Sequence, residues 1–221
     1  MQALEITVRR AARALSRAGL VGAYGHCSAR IDGESLLVCA AKPMGLIEPG
    51  EPGTIVPIVG SLPEGVLGEV RMHQKIYEHR PDVHGICRVV PPKVMSLSAL
   101  RLTPRVRHGF GSYFAPQPPL WDNPMLIRSD ALAEGVAATL GGARAIVLRG
   151  NGAVTAGTSL EEAVVLAWYL EDAARIELDV LHANGGGDPQ TYTEDEAAER
   201  AVWAGRVVER MWSYLCRGDP E

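Results

Sequence analysis

Hydrophobic positions recur at helical spacing over residues 3–18, where Leu4, Val8, Ala11, Ala12 and Leu15 form one stripe. Arg9, Arg10, Arg13 and Arg17 fall between them and are expected to face mostly solvent; Gly19 and Gly22 end the helix. The period then shortens. Ser28-Ala-Arg-Ile31 and Leu36-Leu-Val-Cys-Ala40 read as two strands around an Asp32-Gly33 turn. Ile55–Val59 reads as a short strand that Pro57 confines to an edge. From Pro63 to about Glu78 the pattern is helical, stopped by Pro81.

Residues Val83 to Val90 are apolar apart from His84, Gly85 and Arg88, and read as a buried strand. Pro91 and Pro92 suit the first turn of a helix running to about Leu100. The stretch 101–127 is rich in proline and aromatic residues and reads as a long ordered loop, a kind of segment that is often functional. A helix over 130–140 and strands at Ala145–Leu148 and Ala153–Ala156 follow. Thr158-Ser-Leu-Glu161 has the form of a capping box that opens a helix to about Ala183. Gly185–Pro189 breaks the chain, and Thr193 with Glu196 caps a last helix through Leu215. The sum is an α/β chain with a mixed, largely antiparallel sheet covered by helices, expected to form one domain over residues 1–221.

Composition narrows the functional classes. A hydrophobic share of 47% is that of an ordinary globular protein, and a formal charge of −4 gives no basic footprint for nucleic acid. No apolar run reaches the roughly 20 residues that a membrane span needs, so no membrane partner is expected. Cys27, Cys39, Cys87 and Cys216 are scattered and read as reduced thiols. The first ten residues are amphipathic and lack a leader-like apolar core, which points to the cytoplasm.

Five short motifs stand in a telling order: Gly25-His-Cys-Ser-Ala-Arg30, Lys42-Pro-Met-Gly45, Glu69-Val-Arg-Met-His73, Arg80-Pro-Asp-Val-His-Gly-Ile-Cys-Arg-Val-Val-Pro-Pro92 and Leu148-Arg-Gly-Asn-Gly-Ala-Val154. Together they resemble the class II aldolase/adducin family over about Gly22 to Ala183, and Trp121-Asp122 with Trp212-Ser-Tyr214 is similar to its aromatic-acid decarboxylase branch. The resemblance implies an α/β/α sandwich, homotetramers with active sites between subunits, and a divalent metal that stabilises an enolate as a C–C bond breaks. Here the sequence departs from the pattern. The three histidines that bind the metal in relatives fall on Arg88, Val90 and Asn151, so no metal and no other cofactor is expected.

What the resemblance implies for individual residues follows from that departure. An arginine within an apolar strand needs an anionic partner. Either Arg88 holds a substrate carboxylate or enolate in place of the metal, or it forms a structural ion pair, with Glu69 as the candidate partner. Asn151 between two glycines suits a turn, and its amide is also able to donate to an oxyanion. Val90 is pocket wall or core. Glu69 matches the family's proton-shuttling carboxylate, and His26, where relatives have Asn, is a second proton carrier or a loop histidine. Substrate-binding candidates are Lys42, His108, Tyr113 and Tyr214, the two tyrosines by analogy with one that relatives lend across a subunit interface. His73 reads as structural, and His84 has no assigned place. Leu67-Gly68 stand where sugar-phosphate aldolases have a phosphate-binding serine pair, which argues against a phosphorylated sugar.

The function expected on this basis is a metal-independent lyase, in first place a decarboxylase, acting on a small carboxylated aromatic or enolisable substrate. A cofactor-free isomerase, dehydratase or cyclase would use the same parts, and a non-catalytic adducin-like scaffold is the alternative from another class.

Overall fold

The computed structural model describes residues 1–183 and 189–221. Most of the glycine-rich break expected at 185–189 therefore lies outside the described residues.

Seven strands form one sheet in the order β3-β2-β1-β4-β7-β6-β5. They are β1 (His26–Arg30), β2 (Ser35–Val38), β3 (Thr54–Pro57), β4 (Gly85–Val89), β5 (Leu120–Trp121), β6 (Ala145–Leu148) and β7 (Ala153–Gly157). Every neighbouring pair is antiparallel except β5 with β6. The strand carrying Pro57 is an edge, where a missing N–H costs the ladder least.

The strands bury alternate residues on opposite faces. Leu37, Cys27, Cys87, Val89, Val147 and Ala153 pack with α1 (Gln2–Arg17), α3 (Pro92–Ala99), α5 (Leu160–Ala183) and α7 (Val207–Leu215). Leu36, Val56, Ile86, Ile146, Leu148 and Val154 pack under α2 (Arg71–His79) and α4 (Asp130–Leu140). The result is a helix–sheet–helix sandwich with two separate apolar cores.

Several elements differ from the sequence reading. The expected helix from Pro63 begins only at Arg71, after a single 3₁₀ turn over Gly68–Val70. The last helix is two, α6 (Glu194–Arg200) and α7, with Trp203 between them stacked 4.1 Å from Tyr113. The Thr193–Glu196 capping box is present. At α5 the cap lies one residue later than expected: Ser159 Oγ accepts from Glu162 N at 3.1 Å, and Glu162 instead takes the Thr158 hydroxyl.

Arg9 and Arg13 do not face solvent. Both are buried on α1, because the chain end folds back and supplies Asp219 and Glu221 as partners. Arg13 holds Asp219 through Nε at 2.8 Å and Nη2 at 2.6 Å, and Arg9 holds Glu221. No helix among the described residues is long and apolar enough to cross a membrane, and all four cysteines are buried free thiols.

Candidate active site

Arg88 lies on the central strand β4 between Cys87 and Val89, which face the α1/α5 core, so its side chain enters the opposite layer under α2. Only 3% of the residue is exposed. Nη2 donates to Asn151 Oδ1 at 2.5 Å, while Glu69 Oε2 stands 3.8 Å away. Glu69 is therefore the ion-pair partner that a buried guanidinium requires, at a separation too long for a hydrogen bond. Arg88 Nε and Nη1, Glu69 Oε1, Asn151 Nδ2 and His26 Nε2 are all buried and find no hydrogen-bond partner among the described residues. Burial lowers the Arg88 guanidinium from its usual range, and Glu69 opposes that shift.

Local structure explains how four distant residues meet. Glu69 sits in the 3₁₀ turn that leads into α2. Asn151 occupies the β6–β7 turn between Gly150 and Gly152, both at positive φ (65° and 82°). A Cβ at Gly152 would come within 2.0 Å of the Val89 carbonyl oxygen, so only glycine lets this turn close over β4. His26 is the cross-strand neighbour of Arg88 in the β1–β4 ladder. Val90 donates its N–H to the Leu20 carbonyl at 2.8 Å and closes the end of the strand.

His26 is 2% exposed, and its Nδ1 lies 2.9 Å from His73 Nε2. His73 Nδ1 in turn lies 2.6 Å from Ser28 Oγ. Burial first, then His73 and Arg88, hold His26 well below its ordinary range; burial and Arg88 bring His73 to about 3. Both imidazoles are therefore neutral near pH 7.

The substrate-binding candidates have contacts or settings of their own. Lys42 is held by Glu51 at 3.0 Å. His108 pairs with Asp172 at 2.9 Å and meets Phe110 edge-on. Tyr113 donates to the Val202 carbonyl at 2.7 Å and belongs to the core on the other side of the sheet from Arg88. Tyr214 is 63% exposed on α7. His84 is exposed as well. A cavity of about 540 Å³ lined by Arg101, Arg105, Pro119 and Glu177 does not include the Arg88 cluster among its walls.

Sequence reasoning missed Ser28, His73 and Tyr77 as companions of His26. The signal was present in part, since His26 and Ser28 alternate on one strand face and His73 and Tyr77 are one helical turn apart. Nothing local says that these two faces meet.

The three places where the resemblance implies metal ligands carry a cation, a hydrocarbon and an amide whose oxygen is already taken by Arg88. Among the described residues no three His, Cys, Asp or Glu side chains converge to hold a metal. This donor set does not fit a divalent cation.

A helix–sheet–helix sandwich with a polar cluster at the end of its central strand defines the class to which the chain belongs. The profile of the Class II Aldolase and Adducin N-terminal domain matches residues 7–178, and the chain is a member of that family. Among its relatives are the 3,4-dihydroxyphthalate decarboxylases of Terrabacter sp. (strain DBF63) and of Arthrobacter keyseri. The first is 30% identical over 85% of this chain and 83% of its own length. The second is 30% identical over 79% and 77%. The crystal structure of L-fuculose-1-phosphate aldolase from Thermus thermophilus superposes with a TM-score of 0.75, at 26% identity, over 86% of this chain and 100% of that one.

Proposed function

We propose that this protein is a decarboxylase of a small, non-phosphorylated, hydroxylated aromatic carboxylate, in which Arg88 supplies the positive charge that a divalent cation supplies elsewhere in the family. One observation carries the reading. Arg88 donates to Asn151 and stands 3.8 Å from Glu69, and each of the three keeps a buried polar atom without a hydrogen-bond partner among the described residues. Leaving such groups unmade is costly, and a hydroxy acid is complementary to them. The decarboxylase names of the two bacterial relatives point the same way.

The chemistry follows from the positions. A substrate hydroxyl ortho to the carboxylate gives its proton to the Glu69 carboxylate, while Arg88 and Asn151 Nδ2 donate to the oxygen left behind. Glu69 returns that proton to the ring carbon bearing the carboxylate, forming a dienone. The C–C bond then breaks, CO₂ departs, and the electron pair restores the ring as a phenolate, which takes a proton from water. Arg88 and Asn151 act where negative charge collects, the contribution that is usually largest in such catalysis. A single guanidinium polarises less than a divalent ion, so the substrate brings its own activating hydroxyl.

The test is CO₂ release from a panel of hydroxylated benzene carboxylates by EDTA-treated protein. Activity should survive EDTA. Arg88→Ala and Glu69→Gln should each lower kcat by about 100-fold or more with folding intact. One metal ion per chain, with activity lost on chelation, overturns the reading.

A further inference from the structure

The geometry around His26 is a hydrogen-bonded array of four buried groups. Tyr77 donates its hydroxyl proton to the Ser28 carbonyl at 3.0 Å. The Tyr77 oxygen is thereby free to accept, and Ser28 Oγ lies 3.1 Å from it. If Ser28 donates there, its own oxygen accepts the His73 Nδ1 proton across 2.6 Å. His73 Nε2 is then a lone pair, and it accepts the His26 Nδ1 proton across 2.9 Å. Every donor in the row has an acceptor, and the row ends in a lone pair on His26 Nε2.

The opposite polarity is poorer. It turns the Ser28 proton to His73, leaves the Tyr77 oxygen without a donor, and ends the row in an N–H on His26. That N–H would lie on the strand neighbouring Arg88, whose Nε and Nη1 are themselves donors without acceptors. A lone pair beside a cation is favoured over a second donor.

We infer that Tyr77, Ser28 and His73 are positioning residues that lock His26 as the Nδ1–H tautomer, so that its Nε2 is an acceptor reserved for a second hydroxyl of the ligand. The inference rests on the proposed function for what the ligand is, although the tautomer itself does not. Two buried acceptors, Glu69 Oε1 and His26 Nε2, then stand with the donors of Arg88 and Asn151. Together they ask for an anionic ring compound with two hydroxyls rather than one. His73, read from sequence as structural, acts through His26.

The experiment is ¹⁵N NMR of the histidine side chains in the full-length protein at pH 7, with His26→Asn used to assign the His26 resonances. The expected result is a neutral His26 protonated on Nδ1. In Tyr77→Phe the Ser28 proton has only His73 to bind, so His26 should shift to the Nε2–H tautomer, with His73→Gln as the second variant. Catechol is the binding probe. Its affinity, measured by calorimetry, should fall roughly tenfold in Tyr77→Phe while that of phenol changes little. An Nε2–H or doubly protonated His26 in the wild-type protein overturns the inference, as does an unchanged tautomer in both variants. Absence of decarboxylation with the expected tautomers in place overturns the functional reading and leaves this one standing.

Discussion

His26 and His73 are buried as neutral rings, and that has a cost in acid. Each binds a proton less readily in the folded protein than in the unfolded chain, where histidine titrates near about 6.5. Below that value the unfolded state takes up more protons, so stability is fully present above it and declines as pH falls towards the folded value, about 3 for His73. The slope is about 1.4 kcal/mol per pH unit for each histidine. Urea unfolding at pH 7.5, 6.5 and 5.5 should show this loss, and a His26→Asn/His73→Gln double variant should flatten it whatever its absolute stability. The carboxylate of Glu221, which its hydrogen bond to Arg9 holds at about 2, contributes its own loss only at lower pH, so the two effects separate.

Among the elements, α1 depends on a segment far from it in sequence. Its buried arginines meet Asp219, whose side chain is 1% exposed, and Glu221, whose carboxylate also accepts from Gly50 N at 3.4 Å. The chain end therefore clamps α1 to the loop near residue 50. Arg13→Ala would leave Asp219 buried without its two-pronged partner. We expect a loss of about 3 kcal/mol by denaturant unfolding and faster proteolytic trimming beyond Leu215. Arg17→Ala, at the exposed rim of the same cluster, should cost less than about 1 kcal/mol. The periodicity of α1 was legible because Val8, Ala11, Ala12 and Leu15 are all fully buried. The fate of its arginines was not, since a charged residue between apolar ones reads as solvent-facing until a partner folds over it.

For the molecule as a whole, the resemblance implies a homotetramer with sites between subunits, and we carry that forward as a proposal. Tyr214 at 63%, Leu100 at 60% and Met125 at 59% are large side chains left exposed on a single chain. Sedimentation equilibrium should give four times the chain mass. If the neighbour's tyrosine enters the site, Tyr214→Phe should lower turnover and leave the mass unchanged. A monomer at micromolar concentration would remove Tyr214 and Tyr113 from the candidate list, because within the chain neither reaches Arg88.

The sequence by itself determined most of the elements, since strands and helices follow from local periodicity, and its motifs set Glu69, Arg88 and Asn151 apart as candidates. It also placed Arg88 in an apolar strand, where burial had to follow. Only the tertiary structure decided what each group meets. Ladder register set His26 beside Arg88, the rotation of α2 over the sheet set His73 against His26 and Ser28, and the path of the long loop put His108 and Tyr113 away from Arg88. Those outcomes depend on how distant faces pack, and packing is a property of pairs of elements that no single stretch of chain encodes.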